Sequence, residues 1–143
     1  MQPIRIILAD DHPGIREGLV FLLKKFEDIQ IIGEAQDGPE VIQAVEELRP
    51  EVVVMDLKMP GMDGAEVIRS LLTRESPPRV IVLSLYLTKK VIQELLNMGI
   101  SGFIDKDEAI EWLVPAIRGS MTGEVLLSPL VEKQLYGPGG RGN

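Results

Sequence analysis

The sequence contains no cysteine, so disulfide bridges and thiolate metal sites are excluded. No apolar run approaches the ~20 residues that a membrane span requires. The N-terminus lacks the basic-then-apolar layout of a secretory signal. A soluble, cytoplasmic protein with no membrane contact is the simplest reading. Basic side chains are also scarce: 15 Lys and Arg stand against 22 Asp and Glu, a net charge of −7. Non-specific nucleic-acid binding rests on neutralising phosphates with Lys and Arg, so the chain alone is poorly suited to DNA. The balance suits a protein that meets a cation, a basic partner or both. There is no GxxxxGK[ST] phosphate loop and no internal repeat.

What is present is a chain of 143 residues, 45% hydrophobic and 26% charged, enough for one domain with a real core. Its periodicity alternates. Short β-branched runs at 4–9, 29–36, 51–56, 79–84 and 102–105 read as strands. Between them, apolar residues recur at helical spacing. Ile15, Leu19, Leu22, Leu23 and Phe26 follow Pro13; Val41, Ile42, Val45 and Leu48 follow Asp37-Gly38-Pro39. Val67, Ile68, Leu71 and Leu72 follow Asp63, a candidate cap; Val91, Ile92, Leu95 and Leu96 follow Thr88, another, and end at Gly99. A last helix carries Ile110, Leu113, Val114, Ile117 and Met121, with Pro115 predicting a kink through the lost bond to the Glu111 carbonyl.

Five βα units in succession predict an α/β, doubly wound, five-stranded parallel sheet with helices on both faces, in the flavodoxin-like order. The compact domain is expected over 1–123. Residues 124–143 are expected to form a short helix, with Ser128 as its cap and Pro129 at its first position, and then a linker or tail, in part an expression remnant: "YGPGGRGN" has four glycines in eight residues.

In such a sheet the site lies outside the carboxyl ends of the strands. The first strand delivers Asp10 and Asp11 there, the third Asp56, the fourth Ser84, and Lys106 follows the fifth. Any one of these reads as a cap or a solvated side chain; their convergence from four strands does not. Clustered carboxylates repel one another unless a cation neutralises them, and oxygen ligands without Cys or His favour a hard ion, Mg²⁺ being usual and Mn²⁺ a substitute. A cation, an ammonium and a hydroxyl together can hold a phosphoryl group, with one carboxylate left as nucleophile.

Four segments, "LADDHP" (8–13), "VVVMDLKMPGMDG" (52–64), "VIVLS" (80–84) and "GFIDKD" (102–107), resemble the receiver domain of two-component response regulators in order and spacing, over about residues 4–122. "DDHP", "GEAQDG" (33–38) and "GEVLLSP" (123–129) further resemble the NarL/FixJ (LuxR-type) subfamily. The resemblance implies that Asp56 is the phosphoacceptor, that Asp10 and Asp11 hold Mg²⁺ with Asp56 and the backbone carbonyl of Lys58, and that Lys106 pairs with the phosphoryl oxygens. Ser84 and Phe103 become the switch pair: Ser84 swings to the phosphoryl group and Phe103 turns inward. It also implies a sensor histidine kinase as donor and a homodimer on phosphorylation. Transcriptional output would run through a helix-turn-helix DNA-binding domain absent from this chain, and the signalling face would be the helix after Thr88, the fifth strand and the last helix. Such a protein is a phosphoacceptor, not a conventional enzyme.

His12, the only histidine, reads as a helix-start residue rather than a ligand; Met55, Met59 and Met62 read as packing, and Gly61 and Gly64 as turn geometry. Two positions depart from the usual receiver pattern: bulky Leu85 after the switch serine, and Lys58 two residues past Asp56. Both are expected to alter phosphotransfer or dephosphorylation. A flavodoxin-like FMN carrier is a poor rival, because Asp10 and Asp11 would repel a flavin phosphate. A haloacid-dehalogenase-type phosphatase wants a second Asp where Lys58 stands. A receiver-like interaction module that is never phosphorylated is the remaining alternative.

Overall fold

The computed structural model describes residues 2–61, 63–85 and 87–137. Among the described residues six strands alternate with six helices. They are β1 (Ile4–Ala9), α1 (Pro13–Leu23), β2 (Ile29–Ala35), α2 (Gly38–Leu48), β3 (Val52–Met55), α3 (Gly64–Leu72), β4 (Arg79–Ser84), α4 (Lys89–Met98), β5 (Gly102–Asp105), α5 (Ala109–Ser120), β6 (Leu126–Leu127) and α6 (Pro129–Tyr136). The strand order is β2-β1-β3 over the first three strands and β4-β5-β6 over the last three. The expected five strands stand where the sequence places them, and β6 is an addition. The chain divides into two compact units at Val80/Ile81, partway along β4.

In the first unit β1 pairs in parallel with both β2 and β3. The residues of β3 and the last four of β1 are buried, as β-branched runs covered on both faces must be. A register shift between Ile6 and Ile7 leaves Ile32 as an extra residue in β2. Asp37 caps α2 by accepting from the Glu40 N–H at 2.8 Å, and Asp63 caps α3 by accepting from the Ala65 N–H at 2.8 Å. The α2 C-terminus ends on Arg49 in the left-handed region (φ 49°), and Arg5 donates to the carbonyls of Leu48 and Arg49. Helix α1 is shorter than its apolar pattern. It stops at Leu23 and buries only Leu19 and Leu23, leaving Ile15 exposed and Phe26 beyond its end, half-buried.

In the second unit β4 pairs with β5, and β5 with β6, all in parallel. Thr88 caps α4 through the Val91 N–H (3.2 Å), and Gly99 ends it at φ 99°, a conformation costly for any other residue. Helix α5 continues through Pro115 as one element. Ile110, expected inward, is exposed, because Ala109 takes the inward position where α5 leaves a 3₁₀ turn over Lys106–Glu108. Ser128, expected as the cap of α6, stands at its start but makes no side-chain capping bond. Its Oγ accepts from the Asp105 N–H (2.9 Å), its N–H donates to the Phe103 carbonyl (3.0 Å), and Glu108 accepts the Leu130 N–H at 3.0 Å instead. The glycine-rich residues 138–143, like Met62, lie outside the described residues.

Candidate functional site

Three aspartates are fixed at the carboxyl ends of their strands by one local device. Each turns its Oδ1 onto the N–H two residues ahead, which closes the strand-to-loop corner. Asp10 accepts from His12 N–H (2.8 Å), Asp56 from Lys58 N–H (3.1 Å) and Asp105 from Asp107 N–H (2.9 Å). The backbone of the first two is also tied into the sheet: Asp10 N–H donates to the Ala35 carbonyl and Asp56 N–H to the Ala9 carbonyl, both at 3.0 Å. Carboxylates are rarely fully buried, yet Asp10 is 2% exposed and Asp56 4%.

In the first unit, ligand atoms of Asp10, Asp11, His12 and Asp56 lie within 4.8 Å of one another. Three carboxylates so close repel one another, and two features oppose this. The cluster stands at the N-terminus of α1, where the helix dipole favours negative charge. The Asp10 carbonyl also accepts from Arg16 Nη1 at 2.6 Å, and Arg16 Nε is held 3.3 Å from Glu34. Asp11 Oδ1 is buried and makes no hydrogen bond. A buried carboxylate oxygen of this kind costs free energy unless a cation or donor meets it, so the donor set fits a hard divalent ion. Lys58 is exposed beside the cluster, Met55 and Met59 pack as buried side chains, and Gly61 turns the loop at φ 93°.

In the second unit Ser84 ends β4 with 1% exposure and lies in register with Asp105, the residue before Lys106. Ser84 and Lys106 therefore leave neighbouring strands at the same end. Phe103 is fully buried, the inward position that the resemblance associates with the switched state. Leu85 is 43% exposed just past Ser84. A cavity of about 680 Å³ elsewhere in the first unit is lined by Arg49, Glu51, Arg74 and Arg79 among others and contains none of the clustered acids.

A family profile for the response regulator receiver domain matches residues 6–118. The chain belongs to that family. This receiver domain is 35% identical over 134 residues to the transcriptional regulatory protein LiaR of Bacillus subtilis, covering 94% of this chain and 62% of LiaR. A LuxR-family two-component response regulator from Aurantimonas superposes with a TM-score of 0.87 at 29% identity, covering 94% of this chain and 96% of that one. The signal receiver domain of NarL from Mycobacterium tuberculosis superposes at 0.81 and 32% identity, covering 87% and 100%. The receiver domain is thus of the NarL/LuxR type, with the flavodoxin-like parallel sheet and helices on both faces. It spans about three-fifths of the length of the curated relatives it matches.

Two residues of the site were not legible in the sequence as parts of it. Arg16 reads as an ordinary helical cation, and only its reach to the Asp10 carbonyl shows its role. His12 begins α1 as expected but directs its imidazole at the acids instead of capping the helix.

Proposed function

We propose that the receiver domain accepts a phosphoryl group on Asp56 from a phosphohistidine of a sensor kinase. The observation that carries this reading is a buried carboxylate, Asp56, gathered with Asp10 and Asp11 at the strand ends. An Asp56 oxygen attacks phosphorus, the P–N bond breaks, and the leaving imidazole keeps the electron pair. Asp10, Asp11, Asp56 and the Lys58 carbonyl would hold Mg²⁺, or Mn²⁺ in its place. When bound, that ion offsets the charge that develops on the phosphoryl oxygens. The Lys58 N–H and the strand-end turn keep Asp56 aimed. Lys106 pairs with a phosphoryl oxygen, and Ser84 swings to bond another, giving up the space into which Phe103 turns, which biases the surface of α4, β5 and α5.

In the cytoplasm the phosphorylated protein forms a homodimer, and transcriptional control passes through a helix-turn-helix domain beyond residues 1–123 and the segment 124–143. As a phosphoacceptor it assists its own phosphorylation and dephosphorylation without being a conventional enzyme. Incubation with Mg²⁺ and acetyl phosphate, read by intact mass, tests the reading: a gain of about 80 Da that Asp56→Asn abolishes is expected. No gain, with no beryllofluoride binding, overturns it.

A further inference from the structure

We propose that α6 is a coupled cover of the switch strand: α6 seated on β5 and Phe103 turned inward go together, so the phosphorylation state of Asp56 is read as docking of α6. The inference rests on the phosphoacceptor reading above and adds to it the element that carries the signal toward the residues after Gly137.

All the parts lie in the second unit. Phe103 has no exposed surface. On β5 it stands between Val82 of β4 and Leu127 of β6, and both α5 and α6 pack on that strand. A ring enclosed in this way cannot turn outward unless a neighbour gives way. The two helices differ in what holds them. Helix α5 buries seven of its twelve residues, Leu113, Val114 and Ile117 among them. Helix α6 buries only Val131 and Leu135 of its eight. It is therefore the helix that opens at least cost.

Three hydrogen bonds fasten α6 to β5 and the turn after it, where the switch acts. Ser128, 0% exposed, donates its N–H to the Phe103 carbonyl at 3.0 Å. Its Oγ accepts from the N–H of Asp105, the residue before Lys106, at 2.9 Å. Glu108, at the end of the 3₁₀ turn that Lys106 begins, accepts the Leu130 N–H at 3.0 Å. A movement of Phe103 or of the Lys106 turn thus reaches the first turn of α6 directly. Helix α6 also packs on α4, where Leu135 and Tyr136 line one groove with Lys89, Gln93 and Leu96. Undocking it would bare both α4 and β5. Coupling of this kind is reciprocal: a state that holds Phe103 inward seats α6, and loosening α6 weakens that state.

Amide exchange of the parent, Ser128→Ala, Leu135→Ala and Gln134→Ala is followed with Mg²⁺, with and without beryllofluoride, and each protein is titrated with beryllofluoride. Gln134 is exposed on α6 and supplies the control. Circular dichroism confirms that the variants fold. Beryllofluoride is expected to slow exchange over residues 131–136 of the parent by about fivefold or more. Ser128→Ala and Leu135→Ala should exchange faster there and lose beryllofluoride affinity by about fivefold or more, while Gln134→Ala stays within about twofold. Beryllofluoride that binds the parent but leaves exchange over 131–136 unchanged overturns the proposal. So do Ser128→Ala and Leu135→Ala proteins that exchange faster yet bind beryllofluoride as the parent does, or that exchange at the parent rate. A parent that neither gains mass on Asp56 nor binds beryllofluoride fails the phosphoacceptor reading itself, and the coupling falls with it.

Discussion

Replacing Gly64 with alanine should damage the receiver domain through the loop that carries Asp56. Gly64 begins α3, and a Cβ built on it would stand 2.6 Å from the Leu57 carbonyl oxygen, 2.8 Å from Leu57 Cα and 3.1 Å from its carbonyl carbon. All three are backbone atoms, so no side chain can swing aside. Ordinary contact begins near 3.5 Å, so the helix start or the loop must retreat by about 0.9 Å. Alanine's better helix propensity returns at most ~1 kcal/mol, whereas overpacking costs about 1–3 kcal/mol. The expected net loss is about 1–2 kcal/mol, a fall in Tm of roughly 5 °C. Leu57 lies between Asp56 and Lys58, whose N–H holds Asp56 Oδ1, so the retreat also disturbs the nucleophile. A misplacement of this size should slow labelling by acetyl phosphate by roughly tenfold or more. Gly14→Ala and Gly18→Ala in α1 supply the control. Nothing lies within 4 Å of a Cβ at either, so both should be neutral or stabilising. Calorimetry and time-resolved intact mass read the two effects. A Gly64→Ala protein that melts at or above the parent and labels at the parent rate would refute the steric argument.

Leu85→Ala, which removes a half-exposed bulky side chain just past Ser84, should speed phosphate release from Asp56 several-fold, measured as decay of the added mass; an unchanged rate removes Leu85 from the account. Ser128→Ala leaves the Asp105 N–H without its acceptor and should cost about 1–3 kcal/mol, with faster amide exchange in α6. Unaltered stability and exchange would show that the Ser128 hydroxyl does not hold the segment.

The sequence was most readable where one side chain settles a local choice. Asp63, Thr88 and Gly99 mark their helix ends through bonds or dihedrals that act within a few residues. Strands β1, β3, β4 and β5 were legible because burial on both faces demands a nearly unbroken apolar run, whereas β2, with only Ile29 and Ala35 buried, was legible as a β-branched run stopped by Asp37-Gly38-Pro39. Strand β6 was not, since two residues carry no period. Ser128 was expected to cap α6 and stands at its start, but its hydroxyl acts instead on a backbone group 23 residues earlier, which no local pattern encodes. Ile15 and Ile110 show the limit of helical spacing. It tells which residues share a face, not how far the neighbouring elements extend to cover it. At the site, residue types and order announced the acids, whereas the direction of the His12 ring and the reach of Arg16 needed coordinates.

The short clasp after α5 also bears on self-association. An outermost strand with unpaired backbone groups is a template for another copy of the chain. On β5 that flank is closed residue by residue: the Ser101 carbonyl takes the Leu126 N–H, the Phe103 carbonyl takes the Ser128 N–H, and the Asp105 N–H is satisfied by the Ser128 hydroxyl. The seal itself is only two residues long before Pro129, which has no N–H to offer, starts the turn into α6. The second unit therefore ends its sheet with almost no free edge, and any force or cut that withdrew residues 126–128 would uncover four residues of β5 to aggregation.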